Sequence, residues 1–262
     1  ESGWPARYGA GMFPIRDETP TRHASIATLV IIGINVGVWM VVQKLGSFPG
    51  LIESIWTHGL IPGELLGTVE AGTRVRAGRG MVYVVESSPN WFSPLSSMFM
   101  HGGWLHLIGN MWFMGVFGDN VEDAMGFVRF TAFYLLCGLA AALLQIVSGP
   151  SAVVPMVGAS GAIGGVMGAY LRLYPMAPVH MLVFLGFLIT RVVVPAFFML
   201  GYWFLLQLVA GAFDRGPGGV AFWAHVGGFA AGFLLVPVFC NPNRLASCRR
   251  RRGRTKRMLS RP

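Results

Sequence analysis

A serine, two histidines and an asparagine stand in or at the edge of apolar runs, and their types are those that acyl transfer uses. His106 and Asn110 fall at i, i+4 in HGGWLHLIGN (101–110), so on a helix they share one face. Ser160 opens an apolar run within GASGAIGG (158–165), and His225 lies a few residues into another in AHVGGFAAG (224–232). Polar groups at such depth cost free energy, about 2.5–3.5 kcal/mol for a central Asp, Lys or Arg, so each needs a reason. A serine hydroxyl becomes nucleophilic when a neutral imidazole takes its proton, which suits Ser160 and His225 to the roles of nucleophile and base. His106 and Asn110 carry N–H donors suited to an oxyanion. No Asp or Glu lies within an expected span, which leaves a Ser/His dyad without a carboxylate. His101 sits at the outer edge of the run that holds His106.

The chain that must position these groups has 262 residues, 54% hydrophobic and only 12% charged, with a mean hydropathy of +0.59. Soluble domains carry about 25% charged residues, so a soluble enzyme is not expected. Apolar runs at about 25–43, 103–118, 130–148, 160–174, 194–213 and 220–240 predict six transmembrane helices. The expected fold class is all-α, a polytopic membrane protein, with a long external first loop over 44–97 that holds a strand-like MVYVVE (81–86). Residues 179–190 are apolar but too short to span between Pro178 and Pro195, and are read as an interfacial or re-entrant stretch. The first run is long and lacks a small-residue cleavage pattern, so it is expected to remain as a helix and not to be removed as a signal peptide. Gly161 and Gly165, Gly164 and Gly168, and Gly228 and Gly232 are small-xxx-small pairs that let helix axes approach closely. Gly161, Gly165 and Gly168 share the face that carries Ser160, with Val166 expected to point outward.

Six spans place both termini on one side. Of 20 Lys and Arg, nine (Arg244, Arg249 to Arg252, Arg254, Lys256, Arg257 and Arg261) lie in residues 241–262, where there is no acid. The side of the termini also collects Arg7, Arg16, Arg22, Arg129, Arg172 and Arg191, against Lys44, Arg74, Arg76, Arg79 and Arg215 on the other side. The bias predicts cytoplasmic termini and puts Ser160, His225, His106 and Asn110 toward the external half. The domain organisation is then a cytoplasmic segment (1–24), a membrane domain (25–240) and a basic cytoplasmic tail (241–262). A basic cluster directly after a helix end is read as an anionic-lipid contact, about 1 kcal/mol per residue near the surface, in preference to a nucleic-acid patch. Residues 1–11 are given no role, and Met12 is read as a candidate natural start. Cys137, Cys240 and Cys248 show no metal-ligand spacing, so neither a zinc site nor a disulfide scaffold is expected.

Together the motifs resemble those of the rhomboid intramembrane serine proteases. The likeness rests on HGGWLHLIGN, the GASG of 158–161, AHVGGF around His225, and GDNVEDAMGFVRF with Glu122, Gly126 and Arg129. It extends to PIRDETPTR and VPAFFMLGYWFLLQ and covers most of 13–240 apart from the first loop. The resemblance implies that Ser160 is the nucleophile and His225 the general base, and that His106 and Asn110 with the Ser160 N–H form an oxyanion hole. It also implies a structural hydrogen-bonding role for His101, with Gly158 and Gly161 structural beside the site. The reaction it implies is cleavage of transmembrane-helix substrates near their outer ends, in the cell membrane, with no metal and no cofactor. Two positions depart from the pattern of well-studied bacterial members. The aromatic that stacks on the catalytic histidine four residues after the nucleophile is here Gly164, and the Trp-Arg pair of the first loop is missing, with Trp91 and Phe92 the nearest aromatics.

Other readings compete. A serine at a helix start serves elsewhere as a cap, and membrane histidines form hydrogen-bond networks, proton relays or metal sites. The 101–110 pattern lacks the HExxH carboxylate, which argues against a metalloprotease. The absence of an internal repeat weakens a transporter. The alternative from a different class is a catalytically silent rhomboid-like protein that binds or escorts membrane helices, which would need neither Ser160 nor His225. His58 and His180 lie in connections and are assigned no role.

Overall fold

The computed structural model describes residues 11–185, 188–214 and 220–244. Its elements in chain order are β1 (Gly11–Asp17), α1 (Ile26–Val41), α2 (Gly50–His58), α3 (Pro62–Leu65), β2 (Arg74–Gly78), β3 (Met81–Val84), α4 (Ser93–Ser96), α5 (Trp104–Met125), α6 (Phe127–Ser148), α7 (Ser160–Leu173), β4 (Pro178–Leu185), β5 (Leu188–Pro195), α8 (Ala196–Phe213) and α9 (Phe222–Phe239). The six expected apolar runs correspond to α1 and α5 to α9. Of these, α6, α8 and α9 are each long and apolar enough to cross a membrane. At 14 residues α7 is only about 21 Å long. It has little need of lipid-facing length, because every residue from Gly161 to Tyr170 is buried by its neighbours.

Close backbone approach explains how α7 fits at the centre. Its most extensive contact is with α9. A Cβ added at Gly228 would collide with the Gly161 carbonyl, one at Gly232 with the Gly165 carbonyl, and one at Gly168 with the Phe229 carbonyl. On the side of α6, a Cβ at Gly161 would lie 2.6 Å from Ala141, and one at Gly165 would overlap Cys137. Cys137 is therefore a buried packing residue, as its small apolar side chain suggests. The expectation for Val166 needs correction: it is buried, because α7 is surrounded and has no outward face at that level.

The all-α expectation also needs correction. β1, β4 and β5 form a three-stranded antiparallel sheet in the order β1-β4-β5, so the stretch read as interfacial or re-entrant is a hairpin, Pro178 pairing with Pro195 and Leu185 with Leu188. A short apolar run has the same appearance in sequence whether it is buried as strand or helix. The strand-like MVYVVE is strand at Met81–Val84, paired with β2. The other face of that hairpin anchors the first loop: Tyr83 stacks on Trp56 at 4.7 Å and donates to Glu64 at 2.7 Å.

One end of the helix bundle is tied by carboxylates. Glu122 accepts from the backbone N–H groups of Ala27 (2.9 Å) and Thr28 (2.8 Å) and from the Thr28 hydroxyl, satisfying donors in the first turn of α1 that have no intrahelical acceptor. Asp123 accepts from the backbone of Arg22 and His23 and meets His23 Nδ1 at 2.5 Å. Asp17 in β1 takes bonds from Tyr170, Asn120 and the Thr19 backbone, and burial raises its carboxyl above the ordinary carboxylate range. Between α5 and α6 the chain turns on Gly126 alone, at φ +84°, a left-handed conformation that glycine adopts without steric cost. The stretch after α9 closes on the same end: Asn241 N–H donates to Ala124 at 3.0 Å, and Arg129 donates to the Cys240 carbonyl at 3.3 Å.

Candidate active site

The opposite end of the bundle gathers the chemistry-bearing residues. Ser160 is the first residue of α7, so its backbone N–H lies in the turn whose donors lack intrahelical acceptors. His225 lies in the first turn of α9. Their helices touch through glycines, which brings Ser160 Oγ to 2.8 Å from His225 Nε2. The start of α9 is held from α6, where Gln145 Oε1 accepts the Ala224 N–H at 3.1 Å.

The imidazole of His225 is held from α8. Its Nδ1 lies 2.8 Å from Gln207 Oε1, and Trp203, one turn earlier on α8, sets its ring 5.8 Å from the imidazole at 38°. Trp203 also fills the space beside Gly164, its ring edge 3.8 Å from where a Cβ would stand. The aromatic missing from α7 is thus replaced by one from α8. Sequence reasoning missed Gln207 and Gln145. The signal was there in part: Gln207 is the only amide or charged side chain in AFFMLGYWFLLQLVAGAF.

His106 and Asn110 come from the first two turns of α5. Gly102 N–H donates to His106 Nδ1 at 3.2 Å, so the neutral ring carries its proton on Nε2, and that nitrogen lies beside Gly158, at a space that Ser160 Oγ also borders. A Cβ at Gly158 would stand 2.7 Å from it, and Gly158 also has φ +129°. Only glycine suits that position on both counts, which gives Gly158 its structural role. Asn110 is buried, and its Nδ2 has no hydrogen-bond partner among the described residues. A buried donor left unpaired carries a desolvation penalty unless something arrives to accept from it.

His101 is also buried, its ring edge-on to His106 at 5.2 Å. Its hydrogen bonds to Gln43 run through the backbone: Gln43 Oε1 accepts the His101 N–H and Gln43 Nε2 donates to the His101 carbonyl, both at 2.7 Å. Burial first, and the neighbouring His106 second, hold the His101 ring down to about 3. All seven residues singled out from sequence therefore lie at or next to one site. His180, assigned no role, pairs at the other end with Glu18 at 2.7 Å.

The family model of the Rhomboid domain matches residues 88–242, more than half of the chain. The chain belongs to the rhomboid family. This rhomboid is 32% identical to RHOMBOID-like protein 5 of Arabidopsis thaliana over 157 residues, which cover 58% of this chain and 45% of that one. It is 31% identical to Rhomboid-like protease 5 of Toxoplasma gondii over 144 residues, 55% of this chain and 16% of that one. It is 29% identical to Rhomboid protease GluP of Bacillus subtilis over 146 residues, 56% and 25% of the two chains. The match spans under half the length of these curated relatives. The rhomboid family is one of polytopic membrane proteins and includes serine intramembrane proteases, in keeping with the apolar helices of this chain.

Proposed function

We propose that this rhomboid is an intramembrane serine endopeptidase that cleaves transmembrane helices near the external membrane face. The observation that carries the reading is the 2.8 Å contact of Ser160 Oγ with His225 Nε2. In the first step Ser160 Oγ bonds to the scissile carbonyl carbon while His225 Nε2 takes the hydroxyl proton. The oxyanion that forms accepts from the Ser160 N–H, the free Asn110 Nδ2 and the His106 Nε2–H. Collapse breaks the C–N bond as His225 returns the proton to the leaving amine. Water then attacks the acyl-serine, His225 takes its proton, and Ser160 recovers it as the new carboxyl leaves. Every bond and proton is accounted for by side chains of this chain and water, so the reading calls on no metal or cofactor.

Support for the orientation comes from the bundle itself. The segment before α1, the α5–α6 turn and the exit of α9 meet at one end, as six spans with both ends on one side require, and the basic tail favours the cytoplasm for that end. Most of residues 241–262 and all of 1–10 lie outside the described residues, so the tail's lipid contact rests on its charge.

Ser160→Ala and His225→Ala should each abolish cleavage of a membrane-helix substrate and labelling by a fluorophosphonate, with the melting temperature in detergent unchanged. Wild-type activity in either variant rejects the dyad. A wild-type chain that binds membrane helices but neither cleaves them nor labels would be the silent, escorting protein instead.

A further inference from the structure

Resting on the protease reading above, the geometry points to Gln207 as the positioning residue of the site, an uncharged third member that sets the tautomer of His225. A base must present a lone pair at Nε2, so the proton of the neutral ring must sit on Nδ1. Gln207 Oε1, 2.8 Å from Nδ1, is an acceptor only and fixes it there. Without that acceptor the ring can place its proton on Nε2, where it would donate to Ser160 and be useless as a base. In triads with a carboxylate the third residue performs the same tautomer selection and also stabilises the imidazolium. An amide performs the first task and brings only its dipole, not a full charge, to the second.

Among the described residues, Gln207 is the group that meets His225 Nδ1. No charged residue occurs in α8 or α9, and Arg172 of α7 is turned to the Phe233 carbonyl, three turns along the helix from Ser160. Of the two groups that touch the His225 ring from α8, Trp203 offers a tilted aromatic face, which restrains the ring plane but cannot distinguish one tautomer from the other. Gln207 and Trp203 are one helical turn apart, so a single face of α8 supplies both restraints.

The test compares Gln207→Met, Gln207→Glu and Gln207→Asn with the wild type and Ser160→Ala, as full-length chains in detergent. Fluorophosphonate labelling rates, kcat and KM on a membrane-helix substrate, and melting temperature are measured for each. Met fills the space of Gln without an acceptor, and Asn keeps the amide but falls short of the ring. Both should label and turn over about 10- to 100-fold more slowly, the order of loss that misplacing a reacting group produces, with KM and melting temperature unchanged. Glu keeps an acceptor oxygen at the same reach and should stay within about 3-fold of wild type, because the bond to Nδ1 is retained.

Wild-type rates in Gln207→Met overturn the assignment, as does a Gln207→Glu as slow as Gln207→Met. If Met and Asn both lower the melting temperature sharply, Gln207 is a packing residue and the assignment falls too. Activity remaining in Ser160→Ala, or a wild-type chain that does not label, instead rejects the protease reading and this inference with it.

Discussion

At Asn110 a buried donor has no acceptor among the described residues, the arrangement expected of a group that acts only when charge develops in front of it. Asn110→Ala should therefore lower kcat by about 10² to 10³ with KM little changed, the usual loss for one oxyanion donor. Equal rates in wild type, Asn110→Ala and the His106→Ala, Asn110→Ala double variant would remove both from the mechanism. His101 next to them makes a different contribution. Its ring is held to about 3 in the fold against 6.5 when exposed, so the unfolded chain binds the proton more tightly. Its contribution to stability is complete above pH 6.5 and is lost as pH falls toward 3, at up to about 1.4 kcal/mol per pH unit. The melting temperature should drop between pH 7 and pH 5, and more steeply in wild type than in His101→Gln. An identical slope would show that His101 does not titrate against folding. These polar residues could be found in the sequence because each interrupts an apolar run. Gln207 interrupts one as well, but its partner is a ring nitrogen 18 residues on across a helix contact, and no spacing rule connects α8 to α9.

Between helices, what was legible was the glycine spacing. Gly161, Gly165, Gly228 and Gly232 do bring α7 and α9 together, each at a backbone carbonyl of the other helix or against α6. Which neighbour each glycine met, and that α7 would be enclosed on all sides, was not legible, because a pattern along one helix says nothing of how many helices surround it. Gly165→Leu should cripple cleavage and fluorophosphonate labelling, since a side chain there overlaps Cys137 and reaches the Gly228 carbonyl, and about 1 Å of displacement can cost 10²-fold. The buried Val166 cannot serve as its tolerant control. Leu139 of α6, an exposed residue, should accept Phe without loss. Equal activity of Gly165→Leu and Leu139→Phe would mean that the dyad does not depend on glycine contact. The hairpin β4–β5 escaped for the reason given above, whereas the apolar run over 103–118 stopped short of the end of α5 because Asp119, Glu122 and Asp123 interrupt the uncharged pattern. Glu122 stays helical because α1 supplies the donors for its carboxylate.

Over the whole molecule the polarity is axial, with Asp17, Glu122, Asp123 and both ends of the described chain at one pole and Ser160, His225, His106, Asn110 and Gln207 at the other. The expected tail boundary at 240/241 lies slightly too early for a clean deletion, because Asn241 bonds to Ala124 and the Arg244 side chain covers Gly126 at 3.3 Å from a Cβ there. Truncation after Arg244 should leave activity in neutral detergent intact while weakening binding to vesicles containing phosphatidylserine. Loss of detergent activity would make the distal tail part of the fold. The division of the dyad between α7 and α9 has a consequence for biosynthesis. While the chain is being made, Ser160 leaves the ribosome 65 residues ahead of His225, and Gln207 comes between them. A nascent rhomboid holding α1 to α8 therefore lacks the imidazole that meets Ser160 in the finished fold. Proteolysis by the proposed dyad would begin only after the last helix inserts beside α7, so an unfinished chain would leave neighbouring helices in the translocation site uncut.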